Sequence, residues 1–154
     1  MRYFFVDRIE ELRKGGYAIG TKCVSLSDDC FEHHYPTQPV YPGSMIIESM
    51  AQLGGALLEL TLRDTLDRCP RCVMSSVKAK FRRFARPGDR LSMRAEIRSL
   101  HEDSALVSVA VTSDDNRMCD AEIIYVMVEV DDPVLEKSIE QYLAVLTRDT
   151  RIVE

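Results

Sequence analysis

Residues 44–63 read SMIIESMAQLGGALLELTLR and predict one long helix. Its apolar side chains surround most of the helix circumference: Ile46, Ile47, Met50, Ala51, Leu53, Leu57, Leu58 and Leu60. A helix that is apolar on nearly all sides is normally buried. Ser44 is the expected N-cap, because a serine oxygen can accept a backbone N–H at the helix start. We therefore expect this helix at the centre of the fold, covered by a sheet and by a second subunit.

The chain on either side of this helix is rich in strand-forming residues. Residues Tyr17 to Leu26 alternate between two faces, as the residues of a strand do. After the helix, four more segments are largely alternating: Val73 to Phe81, Arg90 to Leu100, Ala105 to Thr112 and Met118 to Val130. Two further helices are expected, a short one over Phe5 to Leu12 and a last one from Pro133 to about Leu146.

These elements predict an α+β fold. One long buried helix followed by a run of strands implies a curved antiparallel sheet wrapped around that helix. A length of 154 residues suits one domain with a real core, and we find no repeat or linker that would divide the chain. We therefore expect residues 1–154 to form a single domain.

The composition excludes several classes of protein. Apolar residues make up 45% of the chain and charged residues 29%, as in ordinary soluble proteins, and the net charge of −5 argues against a dedicated nucleic-acid binder. The first apolar run is too short for a secretion signal, and no uncharged apolar stretch approaches the length of a membrane span. The number of cysteines is odd, at five, and no secretion signal is recognised; both observations favour reduced thiols over disulfides. We expect a cytoplasmic protein.

Cys69 and Cys72 have the C-x-x-C spacing. A metal site would need two more ligands, and the sequence has no second C-x-x-C and no H-x₃-H. A redox pair is one interpretation. The simpler interpretation, two thiols in a loop beside a proline turn, is the one we favour.

A histidine and an acid near the start of the long helix are candidates for catalysis. The segment FEHHYP, residues 31–36, holds His33 and His34 in an extended loop, where adjacent side chains face opposite sides and only one can point into a site. Glu48 lies fourteen residues after His34, in the first turns of the apolar helix, with Gln52 four residues further on the same face. A histidine and an apolar-embedded carboxylate can act as an acid/base pair at neutral pH.

Gly43, directly before the predicted helix, adds a third element. The free N–H groups at a helix start can hold a developing negative charge. Each candidate could instead have no catalytic function, because a histidine in a loop is more often solvated or structural than catalytic. The acid is more telling, since carboxylates are rarely buried without a partner or a function.

A second group of candidates is basic. It comprises Lys78, Lys80, Arg82, Arg83 and Arg86, and Arg90 and Arg94 continue it with only Asp89 as a nearby acid. In a strand, the first three of these residues share one face. Two interpretations stand: a solvated strand edge, where lysines discourage aggregation, or a docking patch for a phosphate or an acidic protein.

Motifs spread over most of the chain resemble those of the FabZ-type 3-hydroxyacyl-acyl carrier protein dehydratases, members of the hot-dog fold family. RYFFVDR at residues 2–8 is similar to the family's RYPFLLVDR, with a deletion. FEHHYP at 31–36 is similar to FxGHFP, PVYPG at 39–43 to PVxPG, and ESMAQ at 48–52 to EAMAQ. FRRFARPGDRL at 81–91 is similar to FRRPVxPGDQL. Each motif alone is modest, but together they are specific.

The resemblance implies a role for each matching position. His34 falls on the catalytic histidine and Glu48 on the catalytic acid. Gly43 falls on the glycine whose N–H polarises the thioester carbonyl, Val40 on the residue whose carbonyl fixes the histidine tautomer, and Gln52 on a helix residue close to the acid. The family works as a dimer, often as a trimer of dimers, in which each site takes its histidine from one protomer and its acid from the other.

The reaction implied is loss of water from a 3-hydroxyacyl thioester, with His34 as base for the α-proton and Glu48 delivering a proton to the hydroxyl. One residue could also perform both transfers. The partner implied is an acyl carrier protein, whose phosphopantetheine or acidic surface would meet the basic residues, while the acyl chain occupies an apolar tunnel beside the central helix. No metal or organic cofactor is implied.

The sequence departs from the family pattern at two positions. His33 stands where the family usually has glycine, and Phe84 stands where it has proline. The added ring of His33 could narrow the site or supply a second imidazole. Two alternatives therefore remain beside the dehydratase: a hot-dog acyl thioesterase, in which a carboxylate activates water, and a non-catalytic subunit that binds acyl carriers or pairs with an active homologue.

Overall fold

The structure, a computed structural model, describes residues 3–154. Met1 and Arg2, where the RYFFVDR motif begins, lie outside the described residues. In chain order the elements are β1 (Arg8–Arg13), β2 (Tyr17–Cys23), α1 (Gly43–Leu62), β3 (Arg71–Phe81), β4 (Arg90–Leu100), β5 (Ser104–Ser113), β6 (Asn116–Val128), α2 (Pro133–Leu146) and β7 (Arg151–Ile152). A 3₁₀ turn over Asp29–Glu32 precedes the loop that carries His34.

The strands form one curved sheet in the order β3-β6-β5-β4-β2-β1-β7, and α1 packs against it. Neighbouring strands are antiparallel except β1 and β7, which are parallel, so the sheet is mixed at this edge. The predicted α+β class and the sheet around a long helix are confirmed, and the architecture is the hot-dog fold. The parallel pair at the edge corrects the expectation of a purely antiparallel sheet.

The helix α1 is held close to two strands by glycines. A Cβ on Gly20 of β2 would lie 2.8 Å from the Leu53 side chain, and a Cβ on Gly54 of α1 would overlap the Tyr125 hydroxyl of β6. That hydroxyl donates a hydrogen bond of 2.7 Å to the backbone carbonyl of Ala51. At these two points a side chain of one element therefore packs directly against the bare backbone of the other.

By length and composition, α1 is the one helix among residues 3–154 that could cross a membrane. In this fold, however, ten of its twenty residues are buried in the protein core. Ile46, Met50, Leu53, Leu57 and Leu58 are almost completely buried. Burial of this kind is the property of the central helix of a soluble domain.

The short helix expected over Phe5 to Leu12 is wrong, because Arg8–Arg13 forms strand β1. The two buried residues of this strand, Ile9 and Leu12, are three residues apart, which is a helical spacing. A shift in the β1–β2 register between Ile9 and Glu11 places both on the core side. The irregularity in the strand therefore produced a helix-like pattern in the sequence.

The N-cap of α1 also differs from the expectation. Pro42, with φ −59° and ψ 132°, is the cap residue, and its carbonyl accepts hydrogen bonds from Met45 N and Ile46 N. Ser44 lies inside the first turn and its side chain is exposed. Proline fixes the backbone for the entry to the helix without any side-chain cap.

Candidate active site

His34 is held in a loop by hydrogen bonds to its own segment. Its Nδ1 lies 2.7 Å from the backbone carbonyl of Val40, and Val40 N donates to the His34 carbonyl at 3.2 Å. His34 N donates to the carbonyl of Cys30 at 3.1 Å. A carbonyl oxygen only accepts, so the proton of the neutral ring is on Nδ1 and the lone pair is on Nε2. The ring is thereby ready to accept a proton at Nε2.

A cavity of about 550 Å³ lies beside His34. Gly43, the first residue of α1, also lines it. The first N–H groups of a helix have no acceptor within the helix and can bind a negatively charged oxygen. A Cβ on Gly43 would lie 3.0 Å from the Phe81 ring, so a larger residue would not fit there without displacement. Histidine and helix start thus share one cavity.

The two departures from the family pattern lie at different places. The His33 side chain is exposed and does not line the cavity, so it neither fills the cavity nor adds a second imidazole to it in this chain. Phe84 does line the cavity, and it is 71% exposed, at the cavity rim.

Glu48 lies on another side of α1, in a second cavity of about 550 Å³. Gln52 Nε2 donates to Glu48 Oε1 at 3.0 Å. The Gln52 amide is oriented by the backbone of the N-terminal segment, because Phe5 N donates to Oε1 at 2.9 Å and Nε2 also donates to the Tyr3 carbonyl at 3.1 Å. Gln52 thus links the Glu48 carboxylate to the N-terminal segment.

One chain therefore does not bring the candidate residues into one site. His34, Val40 and Gly43 lie at one cavity, and Glu48 and Gln52 lie at the other. Each set is held by its own hydrogen bonds, His34 with Val40 and Gln52 with Glu48.

The basic residues are divided between two surfaces. Arg82 and Arg83 line the cavity of His34, and Arg82 also forms an ion pair with Asp120 at 2.9 Å. Lys78 and Lys80 face a groove on the outer side of the sheet. That groove also holds Arg82, Arg94, Arg98 and Arg117, together with the acids Glu96, Asp120 and Glu122. Lys78, Lys80 and Arg82 thus lie at one groove, Arg82 also joins Arg83 at the cavity of His34, and Arg86 lines neither site.

The cysteines of the C-x-x-C pair are free thiols and half-buried. Burial raises the pKa of both, that of Cys72 to about 12, so the reactive thiolate is disfavoured. Within residues 3–154, no group of three or more His, Cys, Asp or Glu side chains is placed to hold a metal ion.

Tyr142 of α2 is a site residue that the sequence did not indicate. Its hydroxyl donates to Gln52 Oε1 at 3.4 Å, and its ring stacks on Phe4 at a centroid distance of 4.6 Å. Burial raises the pKa of Tyr142 to about 12, so the hydroxyl keeps its proton for this bond. Since 90 residues separate Tyr142 from Gln52, no local sequence pattern could have joined them.

A family model described as the FabA-like domain matches residues 2–127. The chain belongs to the FabA-like domain family. It is 39% identical over 121 residues to the 3-hydroxyacyl-[acyl-carrier-protein] dehydratase FabZ of Syntrophotalea carbinolica, an alignment that covers 79% of this chain and 82% of that protein. It is 36% identical over 124 residues to the FabZ of Clostridium acetobutylicum, with 80% and 86% covered.

Solved structures share the fold of this FabA-like domain. The structure of smu.793 from Streptococcus mutans bound to acetyl CoA superposes with a TM-score of 0.65 at 16% identity, covering 86% of this chain and 95% of that one. The dehydratase heterocomplex ApeI:P from Xenorhabdus doucetiae gives 0.58 at 20% identity, covering 73% and 88%. At such identities the likeness concerns the fold alone.

Proposed function

We propose that this protein dehydrates 3-hydroxyacyl thioesters carried by an acyl carrier protein to trans-2-enoyl thioesters. The observation that carries the proposal is the His34–Val40 hydrogen bond, which leaves Nε2 as a base in the cavity that Gly43 also lines. Relatives at 36–39% identity over most of the chain are named as enzymes of this reaction, which supports the proposal.

In this mechanism two copies build each site. His34 Nε2 of one protomer removes the α-proton, and the Gly43 N–H stabilises the negative charge that develops on the thioester oxygen. The electron pair of the broken C–H bond forms the double bond and the C–O bond of the 3-hydroxyl breaks. Glu48 of the other protomer supplies the proton with which the hydroxyl leaves as water. The separation of His34 and Glu48 within one chain supports this division.

A homodimer, which a trimer of dimers could extend, is part of the proposal. Strand β3 is the edge of the sheet and pairs only with β6 among the described strands. Its exposed apolar residues Val73, Met74, Val77 and Phe81 would be covered by a second copy. An uncovered strand edge of this length is otherwise prone to aggregation.

The docking site that we propose for the acyl carrier is the cavity of His34. Arg82 and Arg83 lie at this cavity and can bind the phosphate of phosphopantetheine or the acidic carrier. Free cysteines suit the cytoplasm as the compartment. We also propose that residues 1–154 form one domain, since one sheet joins strands from β1 to β7.

The proposal is tested by incubating the purified protein with 3-hydroxyacyl carriers and identifying the products by mass spectrometry. Loss of one water, giving the enoyl thioester, is the expected result. Release of a free thiol would instead identify a thioesterase. An unchanged substrate, with the carrier bound, would identify a non-catalytic subunit.

Reversing the charge of Arg83 is expected to weaken carrier binding. Arg83→Glu should raise KM for the acyl carrier about tenfold at low salt and much less at high salt, because exposed charge pairs are screened. Lys137→Glu on α2 makes the same change in charge away from both cavities and should leave KM unchanged. Equal effects of the two variants, or no dependence on salt, would contradict docking at Arg83.

Removing the Tyr142 hydroxyl should have a small effect on the position of Glu48. Tyr142→Phe is expected to lower kcat two- to fivefold, as the loss of one weak hydrogen bond of about 0.5–1 kcal/mol implies, with KM unchanged. The matched control is Tyr17→Phe, which removes a hydroxyl that donates to Glu11 and lies away from both cavities. A fall in thermal stability that accompanied an unchanged kcat would assign Tyr142 a purely structural role.

A further inference from the structure

The helix α2 lies outside the residues that match the family domain, which end at 127. It is nevertheless fixed to the fold. The Asp132 side chain caps its start by accepting from Val134 N and Leu135 N, and Leu143 and Leu146 are buried in the core. The helix is therefore an ordered addition to the matched domain, and it lines a cavity together with α1.

The cavity that holds Glu48 is a slot between α1 and α2. One face of α1 forms its long side, with Glu48 at one end, Glu59 at the other and the small residues Ala51, Gly55 and Ala56 between them. From α2 come the apolar side chains of Leu135, Ile139 and Leu143. Val73 and Met74 of β3 and Tyr125 of β6 complete the walls. The slot is thus mainly apolar between two acids.

The far end of the slot is charged and buried. Arg71 lies 3.3 Å from Glu59 and 3.6 Å from Glu136 of α2, and the side chains of Arg71 and Glu59 are each only 11% exposed. Arg63 ties Glu136 to the end of α1 at 2.7 Å. Burial raises the pKa of Glu59. An apolar group that entered this cluster would separate buried charges from their partners, which is costly.

We propose that α2 sets the maximum length of the acyl chain: the chain runs from Glu48 along the slot and stops at the Glu59–Arg71 pair. This inference rests on the proposed function, because it needs the 3-hydroxyl group at Glu48. The continuity of the slot with the candidate acid and its apolar walls identify the occupant as an acyl chain.

The length of the slot gives the limit. Glu48 and Glu59 are eleven residues apart on α1, which corresponds to about 16 Å of helix. An extended polypeptide spans about 3.6 Å over the three backbone bonds of a residue, so an extended acyl chain should advance roughly 1.2 Å per bond. Acyl chains of up to roughly a dozen carbons fit, and longer ones would have to enter the charged cluster.

The test measures kcat/KM of the wild-type protein and of two variants on 3-hydroxyacyl carriers from four to sixteen carbons. In the wild type, kcat/KM should fall sharply beyond about a dozen carbons. Ile139→Trp fills the slot. It should lower the ratio of kcat/KM for the twelve-carbon substrate to that for the four-carbon substrate about tenfold or more, because each methylene group that a pocket excludes lowers kcat/KM by about tenfold or more. Val145→Trp introduces the same large side chain on the exposed side of α2, where Val145 is 64% exposed, and should keep the wild-type ratio.

A double variant, Glu59→Leu with Arg71→Leu, tests the charged end of the slot. Replacing both partners avoids leaving one buried charge alone, and chains longer than the wild-type limit should then be accepted. If this variant does not fold, the comparison of Ile139→Trp with Val145→Trp still decides. Identical length profiles in these two variants would overturn the inference. No turnover of any chain length by the wild type would contradict the proposed function itself.

Discussion

The His34→Ala variant is expected to lose dehydration activity, with kcat/KM lowered about 10²–10⁴-fold, the usual contribution of a positioned general base. The physical reason is the loss of the Nε2 lone pair, which stays free because the Val40 carbonyl accepts a hydrogen bond from the Nδ1–H group. The measurement is the initial rate of enoyl thioester formation from a 3-hydroxyacyl carrier.

The neighbouring histidine provides a matched control. His33→Ala removes an exposed imidazole that does not line the cavity, so kcat/KM should stay within about threefold of the wild type. If His33→Ala were the variant that abolished turnover, or if His34→Ala retained it, the assignment of the base would be wrong. Circular dichroism of both variants checks that the fold is retained.

Mixing two inactive variants is expected to restore activity. Glu48→Gln keeps the size of the side chain and can still accept from Gln52, but it cannot donate the proton of a carboxylic acid, so it should be as inactive as His34→Ala. In a mixed dimer one site combines both mutations and the other combines neither. Random exchange of protomers should therefore recover about a quarter of the wild-type activity, because half of the dimers are mixed and each has one intact site of two.

The control for the mixing experiment is the doubly mutated chain, which should recover nothing when mixed with either single variant. The experiment needs exchange of protomers, which mild denaturation and refolding of the mixture supplies. Recovery of activity would require that His34 and Glu48 act from different copies. Failure to recover, with exchange demonstrated by differently tagged protomers, would contradict a shared site.

The central helix could be predicted because its apolar pattern extends over twenty residues and covers most of the helix circumference. Apolar residues on nearly every side of residues 44–63 have no other solution than burial, and the structure places α1 at Gly43–Leu62 against the sheet. The strands after it were placed to within a few residues, and β4 at Arg90–Leu100 was bounded correctly. The hot-dog fold followed from these elements and from the family resemblance.

The errors were at short elements with local irregularities. The register shift in β1 gave Ile9 and Leu12 the spacing of a helix, and the hydrogen bonds to β2 that override this pattern come from residues further along the chain. The strand β7, two residues long, carries no periodicity at all. Such elements exist because a neighbouring strand is already in place.

The arrangement of the candidate site could be predicted only in part. The resemblance singled out His34, Glu48 and Gly43 and implied that the histidine and the acid of one chain serve different sites, and the structure places these two residues at different cavities. The basic residues were grouped by their nearness in sequence, and the fold separates Lys78 from Arg83. Partners of α2, such as Tyr142 with Gln52, are decided by tertiary packing.

The contact between Gly54 and Tyr125 has a consequence for the reacting groups at the other end of α1. The Tyr125 ring fills the space that a Cβ on Gly54 would need, and its hydroxyl donates to the Ala51 carbonyl. These two contacts fix where α1 lies along the sheet and how it is rotated about its own axis. Gly43 and Glu48 lie on the same helix, so their positions depend on these contacts. In the proposed dimer these two residues of one helix serve different sites, so a single methyl group added at Gly54 would displace the oxyanion donor of one site and the proton donor of the other.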